Sequence, residues 1–160
     1  MILVTVGMQL GFDRLIEAMD ALAPTLGTPV IAQIGRGEYQ PVNMATHIAI
    51  EPREFERLVM QSQLVVSHAG IGTVLTARRC GKAIVLMPRQ ARLGEHRSDH
   101  QLATCTQLEG RPGIFVASEA DDLAKQIALA VADKQGNQES SPDLAMLRSS
   151  VAKFIENGRV

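Results

Sequence analysis

Aromatic residues are the scarcest class in this chain of 160 residues, which has no tryptophan, one tyrosine and four phenylalanines. A core built from such a sequence is aliphatic, and the aromatic platforms on which single-stranded nucleic acids stack their bases are not expected. An excess of positive charge is missing as well, because 16 lysines and arginines face 17 aspartates and glutamates, for a net charge of -1. The composition therefore argues against a nucleic acid or an anionic membrane surface as the partner.

Cysteines and long apolar runs are also rare. Cys80 and Cys105 form no CxxC motif, so we predict neither a redox pair nor a cysteine-rich zinc site, and expect reduced thiols in a cytosolic protein. The sequence opens with neither a basic segment nor a long apolar one, and no signal peptide is expected. The longest uncharged run, residues 58–77, contains several polar side chains and is not expected to span a membrane.

Short aliphatic runs alternate with longer amphipathic segments, a pattern that is typical of βαβ units and a parallel sheet. We predict a single Rossmann-like α/β domain over residues 1–134 with helices on both faces of the sheet, a polar linker at 135–142 and an amphipathic terminal helix at 143–160. The predicted strands are 2–6, 29–34, 46–50, 64–67, 83–87 and 114–116, and the predicted helices are 12–22, 54–60, one from the 68–73 turn to about 80, 98–108 and 119–134.

The turn after the fourth predicted strand is the most informative segment. A buried strand there runs into the sequence HAGIGT at residues 68–73, and a helix follows. Glycines at such a turn let backbone N–H groups approach a phosphate, the helix N-terminus adds about half a positive charge, and Thr73 adds a hydroxyl donor. The alternative is a tight strand-to-helix turn that serves packing only.

Two common phosphate-binding signatures are incomplete at this turn. A dinucleotide fingerprint needs a third glycine where the chain has Leu75, and it needs an acidic residue about 20 positions further on. A Walker loop is also incomplete, because Thr76 stands in place of its first glycine and Ala83 in place of its serine or threonine. The sequence therefore disfavours NAD and ATP as ligands.

Two further loops follow predicted strands at the edge where open α/β sheets bind their ligands. Residues 7–11 begin and end with glycine, and they form either a second phosphate or sugar contact, with Gly7 as the candidate, or an ordinary connecting loop. Residues 89–101 hold three arginines, two carboxylates and two histidines. Arginine can clamp phosphate oxygens, whereas carboxylates and glutamine suit sugar hydroxyls. The histidine and carboxylate pairs could instead bind a metal, but they form no complete ligand set, and no metal is predicted.

Four segments in this order resemble the C-terminal, donor-binding half of glycosyltransferase family 28: residues 1–15, 65–73, 81–89 and 95–104. The resemblance covers residues 1 to about 134 and includes free-standing members of the family. These are similar to the soluble subunit of the eukaryotic dolichol-linked UDP-N-acetylglucosamine transferase and to bacterial exopolysaccharide transferase subunits. The resemblance implies the C-terminal lobe of a GT-B enzyme that takes a UDP-sugar as substrate and needs no cofactor.

The resemblance also implies roles for individual residues. Many members carry a glutamate for the ribose hydroxyls where this chain has Thr76, so that either Glu95 or Asp99 would supply the carboxylate or Thr76 would bond more weakly. For His68 the alternative is a buried histidine that only hydrogen-bonds the turn. The residues implied at the UDP diphosphate are His68, Gly70, Ile71, Gly72 and Thr73. Those implied beside the donor sugar and ribose are Arg89, His100 and Gln101. The catalytic candidates are Arg89 and His68.

The implied function is that of a donor-binding catalytic subunit that transfers a hexose to a lipid-linked acceptor in exopolysaccharide synthesis. The hexose would be glucuronic acid, glucose or N-acetylglucosamine. The helix start and Arg89 would stabilise the leaving UDP, and the general base would lie on a partner, with His96 and Glu95 as fallbacks. A membrane-anchored, acceptor-binding partner would recruit the chain to the cytoplasmic face of the membrane. The alternative is a nucleotide-binding or regulatory module without transfer activity.

Overall fold

The computed structural model describes residues 1–133, and the predicted linker at 135–142 and terminal helix at 143–160 lie outside the described residues. The strands are β1 (Ile2–Thr5), β2 (Val30–Gln33), β3 (Ala45–His47), β4 (Leu64–His68), β5 (Ile84–Met87) and β6 (Ile114–Val116). The α-helices are α1 (Asp13–Leu22), α2 (Pro52–Gln61), α3 (Ile71–Arg79), α4 (His100–Leu108) and α5 (Leu123–Ala132), with short 3-10 turns at Ala23–Thr25, Ala91–Leu93 and Ala120–Asp122.

The six strands form one parallel sheet in the order β3-β2-β1-β4-β5-β6, which confirms the predicted Rossmann-like fold. Strand β1 lies in the middle and pairs with β2 on one side and with β4 on the other, so that Val4 stands opposite both Ala32 and Val66. The chain order reverses between β1 and β4. At such a switch point the loops leaving the two strands turn to opposite faces, and the crevice between them is where open α/β sheets bind ligands.

Helices cover both faces of the sheet because successive strand side chains point to opposite sides. In β1, Ile2 and Val4 pack on one face with α1 and α5, whereas Leu3 packs on the other with α2, α3 and α4. The core on both faces is aliphatic, as the composition predicts. From the helices it takes Leu15, Ile16, Met19, Leu123 and Ile127 on the first face and Leu58, Val59, Val74, Ala77 and Cys105 on the second.

The predicted boundaries are wrong at the third strand and in the last helix, and those of the other elements agree to within two residues or, for α3, with the predicted turn. The third strand is Ala45–His47 rather than 46–50, and its residues are exposed because β3 forms the edge of the sheet. Helix α3 begins at Ile71 directly after the turn. The segment 119–134, predicted as one helix, begins with a 3-10 turn, and its α-helix ends at Ala132. The predicted end of α3 is confirmed, because Gly81 follows with φ +64.

A buried carboxylate holds the long connection between β2 and β3. Asp20 of α1 is 1% exposed and accepts hydrogen bonds from the N–H groups of Val42 and Asn43 and from the Tyr39 hydroxyl. Burial raises the pKa of Asp20, but these hydrogen bonds outweigh burial and hold the pKa below its ordinary value.

No helix among residues 1–133 combines the length and the hydropathy needed to cross a bilayer.

Candidate functional site

The candidate residues gather at the carboxyl end of the sheet. Three loops meet there, because β1, β4 and β5 are neighbouring parallel strands and each ends at this edge. The β1–α1 loop covers residues 6–12, the β4–α3 turn covers 69–70 and the β5–α4 loop covers 88–99. The structure thus brings together the three segments that the sequence analysis singles out, at the switch point of the fold.

The β4–α3 turn presents the start of a nine-residue helix to solvent. Gly70 precedes the helix in an extended conformation (φ -84, ψ 122), and Ile71 and Gly72 form its first turn. The N–H groups of a first helical turn have no partner within the helix, and they point away from it along its axis. A Cβ built on Gly72 would meet no atom within 4 Å, so the space beside this turn is open. The turn therefore offers free donors and the positive end of a helix dipole to an anion.

Two of the candidate glycines make room for the His68 ring. A Cβ on Gly70 would lie 2.3 Å from Nε2 of His68, and a Cβ on Gly7 would lie 3.3 Å from its Cε1. Gly7 also has φ +80, a conformation that side chains disfavour. His68 thus lies between the first loop and the β4–α3 turn and joins them. Packing against His68 accounts for Gly7 and Gly70, whereas it does not account for Gly72.

His68 is neutral at physiological pH. Burial, together with the nearby positive charge of Arg89, lowers the pKa of its imidazole to about 4, and a hydrogen bond with the Thr5 backbone opposes this shift. The Ser67 hydroxyl lies 3.3 Å from Nδ1 of the ring. A neutral imidazole beside the turn can share a hydrogen bond with a ligand or with the turn, but it cannot supply a counter-charge to a phosphate at pH 7.

A pH dependence of stability follows from this depressed pKa. The unfolded chain protonates His68 below pH 6.5, and the folded protein resists protonation until about pH 4. His68 therefore does not change the free energy of unfolding above pH 6.5. Between pH 6.5 and pH 4 the free energy of unfolding falls by up to about 3 kcal/mol. In urea denaturation, we expect the free energy of unfolding of His68→Gln to fall less between pH 6.5 and pH 4 than that of wild type. The control His47→Gln, which replaces an exposed histidine, should show the same fall as wild type. Equal slopes for wild type and His68→Gln would contradict the assignment.

Arg89 is buried under the β1–α1 loop, with 2% of its surface exposed. Its Nη2 donates to the carbonyls of Val6 at 2.9 Å and Leu10 at 3.0 Å, and its Nη1 donates to the carbonyl of Gly11. The guanidinium also lies 4.7 Å from the centre of the Phe12 ring. Arg89 therefore fixes the first loop from beneath. Its predicted contact with the leaving nucleotide stays a prediction, and in this structure its donors serve backbone carbonyls.

The β5–α4 loop is folded around three consecutive backbone N–H groups that follow β5. Arg89 N donates to Gln101 Oε1 at 3.1 Å, Gln90 N to Glu95 Oε2 at 2.9 Å and Ala91 N to Asp99 Oδ1 at 2.8 Å. The side chains that the sequence proposes as sugar and ribose acceptors thus bind the loop's own backbone. Glu95 also accepts from Arg14 of α1 through both oxygens.

The other candidates lie near this loop or on α3. His100 is exposed at the start of α4, with its Nδ1 2.8 Å from the Ser98 hydroxyl and its ring 4.5 Å from that of His96. Thr76 donates its hydroxyl to the Gly72 carbonyl at 3.0 Å, one turn back along α3. Within residues 1–133, no three histidine, cysteine, aspartate or glutamate side chains converge as a metal site would require.

A groove of about 580 Å³ lies elsewhere, between α1 and the start of α5, and four alanines contribute to its lining. None of the candidate residues lines it.

The sequence analysis missed Arg14 and Phe12. Phe12 is 1% exposed, and both Arg14 and Arg89 lie against its ring. The residues around Phe12 gave no distinctive signal, because Phe55 also stands beside acidic residues and close to arginines. The pairing of Arg14 with Glu95 spans 81 positions, which local sequence patterns do not reveal.

Solved glycosyltransferase structures share this fold. The glycosyltransferase of kitacinnamycin is 21% identical, with a TM-score of 0.63 over 82% of this chain. SnogD from Streptomyces nogalater is 24% identical, with a TM-score of 0.58 over 85%. MurG from Acinetobacter baumannii is 19% identical, with a TM-score of 0.58 over 84%. The chain spans only 34%, 35% and 42% of these proteins, respectively. It matches one lobe of the GT-B architecture.

Curated protein sequences give no significant match to the chain. The family model of the glycosyltransferase family 28 C-terminal domain, in contrast, matches residues 1–157. This match covers almost the whole sequence, and it agrees with the strand order and with the GT-B neighbours. The chain therefore belongs to the glycosyltransferase family 28 C-terminal domain family.

Proposed function

We propose that the chain is the donor-binding half of a UDP-sugar glycosyltransferase, which transfers a hexose to a lipid-linked acceptor in exopolysaccharide synthesis. One observation carries the proposal: the HAGIGT turn lies at the switch point of a parallel sheet, with free N–H groups and open space beside Gly72. Backbone donors and a helix N-terminus suit a diphosphate, whose charge grows as it leaves the sugar.

In this proposal the first turn of α3 binds the diphosphate. The N–H groups of Ile71 and Gly72 and the hydroxyl of Thr73 stabilise the developing negative charge on UDP without a metal. His68, neutral and packed against Gly7 and Gly70, holds the turn in register with the first loop. Arg89 adds positive charge beneath the site and keeps the β1–α1 loop in position.

The sugar and ribose are assigned to the β5–α4 loop and to Thr76. His100 is exposed at the start of α4, and Gln101 follows it with its amide oxygen on the backbone of Arg89. Glu95 and Asp99 already accept hydrogen bonds within the loop, so each would have to share an oxygen with a ribose hydroxyl. Carboxylate oxygens have more than one lone pair, which permits such sharing.

The acceptor side of the cleft is assigned to a partner. The GT-B neighbours are more than twice as long as the part that this chain matches, which supports a second lobe as the other wall of the cleft. We propose a membrane-anchored, acceptor-binding subunit that carries the general base and recruits the chain to the cytoplasmic face of the membrane. The exposed side chains Met8, Leu10 and Ile71 border the sheet edge where this subunit would dock.

A second candidate function is nucleotide binding without transfer. The two side chains that could serve as a general base in this chain favour this alternative. Glu95 is bound by Arg14, and His96 is a weaker base because burial lowers its pKa and because it lies beside His100. A chain of this kind would regulate a pathway through UDP-sugar occupancy rather than by catalysis.

Calorimetry with UDP, ADP and NAD tests the donor assignment. We expect UDP to bind at least about tenfold more tightly than the other two, because the dinucleotide fingerprint is broken and the phosphate turn is intact. Tighter binding of NAD or ADP would contradict the proposal.

The same protein is then assayed for sugar transfer from a UDP-sugar to a polyprenyl-diphosphate acceptor, with and without a co-expressed membrane subunit. Donor binding with little transfer by the chain alone, and transfer by the complex, is the expected result. Full turnover by the isolated chain would refute the role of a partner, and no turnover by the complex would leave the binding module.

A further inference from the structure

Arg14 joins α1 to the start and to the interior of the β5–α4 loop. Its Nε and Nη2 bind the two carboxylate oxygens of Glu95 at 2.6 and 2.9 Å, and Nη2 also donates to the carbonyl of Pro88 at 3.0 Å. A longer contact of 3.4 Å connects Nη1 to Glu119. These bonds link residues 74 to 105 positions apart, so they constrain tertiary structure rather than a local turn.

The carboxylate of Glu95 passes this constraint to the backbone. Its Oε2 accepts from Gln90 N, in the middle of the three consecutive N–H groups that the loop's own side chains bind. On either side, Gln101 binds Arg89 N and Asp99 binds Ala91 N. The position of Glu95 therefore sets the path of the whole loop and the start of α4.

Burial makes this ion pair different from the other ion pairs among residues 1–133. The side chains of Arg14 and Glu95 are 20% and 12% exposed, whereas those of Arg57 and Glu54, three residues apart on α2, are 51% and 46% exposed. An exposed local pair contributes little to stability or to geometry. Removing one member of a shielded pair, in contrast, leaves a charge that needs water, and the loop must move to reach it.

We infer that Arg14 is a positioning residue for the donor sugar: through Glu95 it fixes the β5–α4 loop and the start of α4, which carry His100 and Gln101. The inference rests on the proposed function, because it assigns the sugar to this loop and the diphosphate to the turn before α3. Arg14 itself faces protein acceptors with its three short hydrogen bonds. It acts on the sugar through the loop and not by contact.

The test compares the binding of UDP with that of a UDP-sugar. Wild type, Arg14→Met and the control Arg57→Met are titrated with UDP and with UDP-glucose, UDP-glucuronic acid and UDP-N-acetylglucosamine, and the sugar nucleotide that wild type binds best is the probe. We expect Arg14→Met to weaken binding of the probe about tenfold and binding of UDP only about threefold, because both ligands share the ribose contact of the loop and only the probe has the sugar contacts. Arg57→Met, which breaks the exposed pair, should change neither.

A second variant and a second measurement separate this role from simple stabilisation. The double variant Arg14→Met/Glu95→Gln should lose less affinity for the probe than the product of the two single losses, since Arg14 acts through Glu95. Hydrogen exchange at the Gln90 amide should be faster in Arg14→Met than in wild type. It should be unchanged in Arg57→Met, because Arg57 lies on α2, which is remote from Gln90. Equal loss of UDP and probe, no loss of either, or unchanged exchange at Gln90 would overturn the inference. Failure of wild type to bind any nucleotide would refute the proposed function, and exchange at Gln90 would still test whether Arg14 fixes the loop.

Discussion

Replacing Gly72 with valine is expected to weaken UDP binding by about 100-fold, equivalent to about 2.7 kcal/mol, while leaving the fold intact. The added side chain would occupy open space beside the free N–H groups of the α3 turn, where the diphosphate is proposed to bind. Beyond the adjoining residues and the backbone of α3 itself, no atom of residues 1–133 lies within 4 Å of the new Cβ, so packing between elements is not disturbed. Calorimetry with UDP measures the loss, and thermal unfolding checks the fold.

Three further variants at this turn make the result interpretable. Gly72→Ala, with a smaller side chain, should lose less affinity than the valine variant. Leu75→Val places a β-branched residue on the exposed face of the same helix and should bind UDP as wild type does. Gly70→Ala, in contrast, should destabilise the protein, because its Cβ would clash with the His68 ring. A collapse of the melting temperature in Gly72→Val would show that the glycine serves packing, and the phosphate assignment would lose its main support.

Replacing Arg89 with methionine is expected to lower the free energy of unfolding by about 3 kcal/mol or more. Methionine keeps most of the apolar contact with Phe12 but removes every hydrogen bond from the guanidinium to the carbonyls of Val6, Leu10 and Gly11. Those carbonyls are then left without their donor beneath the first loop. For a domain of this size, the melting temperature should drop on the order of 10 °C.

Arg92 provides the matched control for this variant. It lies in the same loop, but its side chain is 68% exposed and its ion pair with Glu119 is at the surface. Arg92→Met should change stability by less than about 0.5 kcal/mol. A similar effect of the two substitutions, or a stable Arg89→Met protein that fails only in UDP binding, would show that Arg89 serves the ligand and not the loop.

The architecture could be predicted because its signals are local. The central strands β1, β4 and β5 are short and mainly aliphatic runs, and they are continuous because these strands are buried on both faces of the parallel sheet. The edge strand was the exception. Residues 45–47 are exposed, and the apolar Ile48 and Ile50 moved the predicted strand toward the wrong residues. The residues of β3 are exposed, so an apolar sequence pattern could not indicate where this strand begins and ends.

The strand-to-helix turn at residues 68–73 could also be predicted, whereas the partners of the polar side chains could not. The sequence predicts that Glu95, Asp99 and Gln101 bind a sugar or ribose. In the structure each accepts a hydrogen bond from a backbone N–H group that has no partner in the sheet after β5. Such N–H groups must find an acceptor wherever water is excluded. Residue type and spacing are the same for a side chain that binds a ligand and for one that satisfies a turn, so sequence alone does not distinguish the two.

The strand order also sets when the site can exist during synthesis of the chain. β1 lies at the centre of the sheet, but its second neighbour, β4, begins at Leu64, and the Arg89 side chain that holds the β1–α1 loop comes later still. The face of the sheet under α1 is closed by Leu123 and Ile127 near the end of the described chain. Ribosomes add about 5–20 residues per second, so several seconds separate the first strand from its last contacts. The first loop emerges early, and it acquires its folded shape only after most of the domain has left the ribosome.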